Sequence, residues 1–257
     1  MLIDGGLSNA LEAQGCSLHH RLWSARYLDR DPDAIISAHL SYLEAGAECI
    51  TTASYQASVA GFIGEGYDQQ TAESLILKAV SLAEQAIERF ISGREGAVRP
   101  LIAASIGPYG AYLADGSEYR GKYGITTAEL EDFHRTRLAL LDNSPAHILA
   151  CETIPDFREA TVLARLLEKA HTPAWLSFSC RDDGRLNDGT PVEKVIAQMA
   201  DHPTIFAVGV NCTAPKYVSG LIKKIRLHAD RKKIIVYPNS GQAYNCLLYT
   251  SPSPRDH

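Results

Sequence analysis

The sequence predicts an α/β protein, a (β/α)8 TIM barrel with about seven of its eight units present. Three observations carry this expectation. Short β-rich runs recur along the 257 residues, each followed by a segment of helical periodicity. The runs are apolar almost throughout rather than alternating, as parallel strands covered on both faces require. No GxGxxG follows the first strand, which removes support from the dinucleotide-binding arrangement of the same elements.

In chain order, residues 1–4 read as a short first strand, and runs at 48–52, 101–106, 147–152, 175–179, 205–211 and 234–239 supply six more. Among the intervening segments, Leu75, Ala79, Leu82, Ala83, Ala86, Ile87 and Phe90 share one face at helical spacing. Thr126 with Glu129, Asp156 with Glu159, and Thr190 with Glu193 have the spacing of an N-cap and its third helical residue. Pro191 follows Thr190 at the favoured first helical position. A chain of this length with 46% hydrophobic residues supports one large domain with a substantial core.

Composition also removes whole classes of function. The net charge is -5 with both signs interspersed, so no basic stripe invites nucleic acid. No apolar run approaches the roughly 20 residues of a membrane-spanning helix, and no basic and apolar leader opens the chain. Six cysteines without tight spacing do not resemble a secreted disulfide framework. The expected setting is cytoplasmic, without a membrane or nucleic-acid partner.

Nearly every strand ends in polar residues: Asp4, Thr51-Thr52, Ser105, Glu152-Thr153, Ser177, Ser179, Asn211-Cys212 and Asn239-Ser240. In a parallel barrel these ends meet at one mouth, where barrel enzymes place their chemistry. Any single Ser or Thr there is equally what the start of a polar loop looks like. Glu152, directly after Ile148-Leu149-Ala150-Cys151, is different, because a carboxylate in such a place calls for a cationic partner. Asp4 before Gly5-Gly6 is either a functional carboxylate or a cap for the first helix. The long loop 107–124 carries Tyr109, Tyr112, Tyr119 and Tyr123. These rings suit a wall for a cationic substrate, or they pack the loop onto the barrel, the expected role of at least two. Cys49, Cys151 and Cys180 read as small core residues, and Cys16 has no obvious partner. Cys212, at a strand end facing the mouth, is a metal ligand, a nucleophile or an inert thiol. No HxxxH or CxxC spacing decides among these.

Several motifs occur in order: Asp4-Gly5-Gly6, Leu22-Trp23-Ser24-Ala25, Thr51-Thr52-Ala53-Ser54-Tyr55-Gln56, and the loop from Gly107-Pro108-Tyr109-Gly110 to Asp115-Gly116-Ser117-Glu118-Tyr119-Arg120-Gly121. They continue with Cys151-Glu152-Thr153, Asp188-Gly189-Thr190-Pro191, Gly209-Val210-Asn211-Cys212 and Tyr237-Pro238-Asn239-Ser240-Gly241. This set closely resembles the homocysteine S-methyltransferases of bacteria and plants that use S-methylmethionine. The resemblance runs from Met1 to about Asn245. It implies a barrel domain over 1–245, followed by a tail, 246–257, without family similarity.

The resemblance further implies methyl transfer from S-methylmethionine or S-adenosylmethionine to homocysteine, giving methionine, with Zn2+ held by three cysteine thiolates. One of these matches Cys212. The other two form a Gly-Gly-Cys-Cys-Arg motif that this sequence lacks, and Cys246 matches no family ligand. By the same resemblance Asp4 and Glu152 meet the homocysteine ammonium, Asn211 orients substrate or ligand, and Thr52 and Tyr109 line the substrate site. Zinc suits this chemistry because a thiol with a pKa of roughly 8.5 is only about 3% thiolate at neutral pH, and coordination deprotonates it. Alternatives are an inactive truncated homologue and a related enzyme using betaine or a corrinoid donor.

Overall fold

The computed structural model describes residues 1–240. Six strands, β1 (Cys49–Thr51), β2 (Leu101–Ile106), β3 (Ile148–Ile154), β4 (Ala174–Phe178), β5 (Ile205–Asn211) and β6 (Lys233–Tyr237), form one sheet. They lie in sequence order and every neighbouring pair is parallel. Helices fill the crossovers, as parallel neighbours require, and this order is that of an incomplete TIM barrel. The expected strand at 1–4 is reduced to a single parallel bridge, Ile3 with Cys49, supported by the Asp4 N–H donating to the Cys49 carbonyl at 3.0 Å. It continues the same sheet on the far side of β1.

The core divides in two. The larger part lies between the strands and the helices and includes Leu149, Cys151, Leu176, Val208 and Val210 with Leu75, Ala79, Ala83 and Ile87. A smaller cluster inside the curl of the sheet joins Cys49, Ala103, Ala150, Trp175 and Ala207, with Ile3 and Ile235 against it. Side chains alternate along a strand. The residues two steps beyond this inner floor are therefore Thr51, Ser105, Glu152, Ser177 and Tyr237, with Asn211 four steps beyond Ala207. The barrel interior is apolar at its base and polar at its mouth.

The helix expectations divide. Helix Gln69–Ile91 buries Leu75, Ala79, Leu82, Ala83, Ala86 and Ile87, and Phe90 packs half-buried against them. Thr126 and Glu129 form a reciprocal capping box on helix Thr127–Asp142. Asp156 caps helix Phe157–Leu167 by accepting from the Arg158 and Glu159 N–H groups, but Glu159 does not answer it. Thr190 is not a cap: helix Val192–Met199 starts after Pro191, which makes no side-chain cap bond. The Thr190 N–H and hydroxyl donate instead to Asp188, at 2.7 and 2.9 Å. Asp188 is the nearer acceptor in a tight turn, so it takes the groups a helix start would have used. Asp4 does not cap the first helix either, since Leu7–Ala13 begins after Gly6 without a side-chain cap.

Candidate active site

Glu152 is the centre of the mouth. It is 8% exposed. The Ser105 hydroxyl on β2 donates to its Oε1, and the Tyr237 hydroxyl on β6 lies 2.7 Å from its Oε2. Tyr237 is also 2.8 Å from the Ser177 hydroxyl and accepts from the Trp175 indole N–H at 3.2 Å. Ser177 lies 2.8 Å from Asn211 Oδ1. The Tyr237 hydroxyl donates to Glu152, as the Ser177 hydroxyl does to Asn211 Oδ1. Burial, the largest influence on this carboxyl, raises its pKa, against the lowering effect of Ser105 and Tyr237.

Asp4 sits on the opposite side of β1, 8% exposed, and accepts from the Thr51 N–H at 2.8 Å and the Thr51 hydroxyl at 3.0 Å. Burial pushes its pKa up to about 8, outweighing the Thr51 hydrogen bonds, and the charge of Glu152 adds to the rise. Among the described residues no cation pairs with either carboxyl. Two buried carboxyls without a cation, facing one mouth, form a site prepared for a positive group.

Asn211 links this pair to the thiol. Its Oδ1 accepts from the Thr153 N–H at 2.8 Å, and its Nδ2 donates to the Thr153 hydroxyl at 2.7 Å and towards Cys212 Sγ at 3.5 Å. Thr153 and Cys212 both have left-handed backbones, φ 61° and 45°. For a β-branched residue that conformation is strained, and such strain gathers at functional sites. Burial pushes the Cys212 thiol up to about 11, so the metal-free thiol is protonated at neutral pH.

Thr52 supports rather than faces the mouth. Its hydroxyl accepts from the Ser105 N–H at 3.0 Å and lies 2.6 Å from the Ser54 hydroxyl, which donates to the Ser105 carbonyl at 2.7 Å. Tyr109 opens the short helix Tyr109–Leu113 after β2. Its ring packs on Phe133, 4.9 Å between centroids, together with Tyr112 and Tyr123, which is the loop-packing role expected of at least two of the four. Tyr119 takes the other course and acts on the Cys212 thiol, lowering its pKa against the effect of burial. Cys49, Cys151 and Cys180 are buried, as expected of core residues.

Sequence reasoning missed Tyr55 and Tyr237 as site residues, and a buried ionic network beneath the loops. Arg137 donates to the carbonyls of Ala57 at 3.2 Å and Gly107 at 2.7 Å. It also lies 3.0 Å from His134 Nδ1. Arginine only donates, so Nδ1 accepts and His134 Nε2 carries the hydrogen given to Glu159 at 2.8 Å. Glu159 also accepts from the Tyr109 N–H and the Tyr123 hydroxyl, each at 2.6 Å. The loops after β1 and β2 are thereby fixed to the helical layer. Gly107 is required there, since a Cβ would stand 2.5 Å from the Tyr55 carbonyl oxygen. Only the invariably paired nature of buried charge hints at this network in the sequence.

The homocysteine S-methyltransferase profile matches residues 1–253. The chain belongs to the homocysteine S-methyltransferase family. It is 45% identical over 249 residues to homocysteine S-methyltransferase YbgG of Bacillus subtilis (strain 168), covering 95% of this chain and 79% of that protein. It is 44% identical over 252 residues to the homocysteine S-methyltransferase of Escherichia coli (strain K12), covering 97% and 81%. A selenocysteine Se-methyltransferase of Brassica oleracea var. italica is 43% identical over 256 residues, covering 95% and 74%. In three dimensions the metallated form of the E. coli homocysteine methyltransferase MmuM superposes with a TM-score of 0.89 at 44% identity, covering 94% of this chain and 84% of that one. The family is therefore one of transferases, and one solved form of a relative carries a metal.

The donor set here does not complete such a centre. Among the described residues no three His, Cys, Asp or Glu side chains converge, and Cys212 is the one thiol at the mouth. Cys246 and the expected 246–257 tail lie outside the described residues. Three thiolates are not to hand, so the described site does not fit a three-cysteine zinc centre.

Proposed function

We propose that this chain transfers a methyl group from a sulfonium donor, S-methylmethionine or S-adenosylmethionine, to the thiol of homocysteine, giving methionine. The observation that carries the reading is the pair of buried, cation-free carboxyls at the mouth. Family membership calls for homocysteine, an amino acid whose ammonium is the charge that Asp4 and Glu152 lack. Binding that ammonium gives the two carboxyls a charge-assisted hydrogen-bonding partner. Asn211 and Thr153 then orient the groups around Cys212, and Thr52 fixes the strand ends through Ser105.

In the transfer, the homocysteine sulfur forms a bond to the methyl carbon as the bond to the sulfonium sulfur breaks. The electron pair stays on the leaving sulfur, which becomes a neutral thioether, and the thiol proton is released to water. The protein's part is alignment, which can contribute about 7–11 kcal/mol when attacking atom, carbon and leaving group are held in line. Tyr109 contributes through the seat it gives the 107–124 loop. The chain is proposed to work in the cytoplasm.

Glu152→Ala tests the reading. It leaves the homocysteine ammonium short of its partner, a loss on the order of 2–5 kcal/mol, seen as a fall in kcat/KM for homocysteine. Unchanged efficiency would remove Glu152 from the acceptor site.

A further inference from the structure

We propose that Glu118 binds the α-ammonium of an amino-acid methyl donor, across the mouth from the acceptor site at Asp4 and Glu152; this rests on the methyl-transfer reading above. Glu118 lies in the 3-10 turn Ser117–Tyr119. Gly110 admits that turn, since a Cβ there would stand 2.3 Å from the Glu118 nitrogen. The Ser179 hydroxyl is 3.3 Å from the carbonyl oxygens of both Glu118 and Thr153, and the Thr153 hydroxyl is 3.7 Å from Cys212 Sγ. The turn is thus tied to the Cys212 side of the mouth, away from Asp4.

Glu118 Oε2 is buried and accepts no hydrogen bond, the one carboxylate oxygen in that state among the described residues. Arg120, the nearest cation in sequence, is held by Asp115 at 3.4 Å and by the Ser117 hydroxyl at 3.0 Å. A buried acceptor without a donor is costly, and a ligand that brings a donor relieves the cost. An ammonium has three N–H groups and a sulfonium has none, so only the ammonium satisfies this oxygen. The chemistry of transfer points the same way. The sulfonium loses its charge as the methyl leaves, so a carboxylate against it would favour the ground state over the transition state. The ammonium keeps its charge throughout. The sulfonium is better matched by aromatic faces. Tyr119 on the same turn and Tyr55, whose pKa is raised first by burial and then by the charges of Cys212, Tyr119 and Glu118, supply rings beside it.

The test is calorimetric binding of S-methylmethionine, N-acetyl-S-methylmethionine and homocysteine to the full chain and to Glu118→Gln. Acetylation removes the ammonium and leaves the sulfonium. In the parent it is expected to weaken binding by about tenfold or more, and in Glu118→Gln by less than about twofold. Homocysteine affinity should be the same in both. An equal acetylation penalty in parent and variant overturns the role of Glu118. Homocysteine binding that is retained by the parent and lost in Glu152→Ala would then still uphold the acceptor site. A parent that binds none of the three overturns both readings.

Discussion

Removing Glu159 should destabilise the fold more than removing any surface charge. The carboxyl is 0% exposed and its neighbours His134 and Arg137 are 0% and 1% exposed, so no water replaces what is lost. Glu159→Ala deletes the acceptor for the Tyr109 N–H, the Tyr123 hydroxyl and His134 Nε2. It also leaves the Arg137 guanidinium buried with only neutral partners. Burial already draws the Arg137 pKa down to about 10, against the supporting charge of Glu159. Breaking one side of a buried ionic network costs about 3–5 kcal/mol, because the surviving charge is left uncompensated. The exposed pair Arg89–Asp33, 3.5 Å apart, serves as the control, with an expected effect below about 1 kcal/mol. Urea unfolding reports both, and the slope with denaturant should be unchanged, since the same surface is exposed on unfolding. A Glu159→Ala variant within about 1 kcal/mol of the parent would show that the network is not what fixes the loops.

Three further outcomes are expected. Burial holds Asp4 protonated up to about pH 8 in the fold, against 3.8 ordinarily. Between those values the folded chain therefore binds the extra proton and its stability falls as pH rises, by at most about 1.4 kcal/mol per pH unit. Asp4→Asn should flatten that slope in unfolding curves taken from pH 5 to 8, and an unaltered slope would refute the assignment. Homocysteine binding near pH 7 should release a proton from Asp4, whose pKa burial raises to about 8, seen as a binding enthalpy that changes with the ionisation enthalpy of the buffer; no such change would mean Asp4 is already ionised. The 257-residue chain should retain well under one zinc per molecule after dialysis, because one thiolate does not make a catalytic site. Stoichiometric zinc lost on Cys212→Ser would show that Cys246 or other groups complete the centre.

The sequence by itself determined the order and nature of the elements. Apolar runs at 101–106 and 205–211 became β2 and β5 with the same bounds, because parallel strands covered on both faces are continuous hydrophobic stretches. The Thr126 and Glu129 box was equally legible, since a cap is settled within four residues. The same continuity hid the polar mouth. In strands apolar on both faces, the residues that point inward cannot be told from those that point outward, and only the curl of the sheet separates Ala150 and Glu152 from Leu149 and Cys151. Thr190 was misread as a cap because Asp188, two residues back, competes for the same groups in a way that spacing does not reveal. Arg137, His134 and Glu159 looked like ordinary polar positions on two helices. Tertiary packing alone decided that they face each other beneath the loops, where the low dielectric obliges each to find the others. Glu118 and Tyr119 are two residues of a long loop in the sequence, and only the close approach at Gly110 seats their turn on the Cys212 side of the mouth. Local rules fix elements because their partners are near in sequence, whereas the site is made of partners brought together only when the sheet curls.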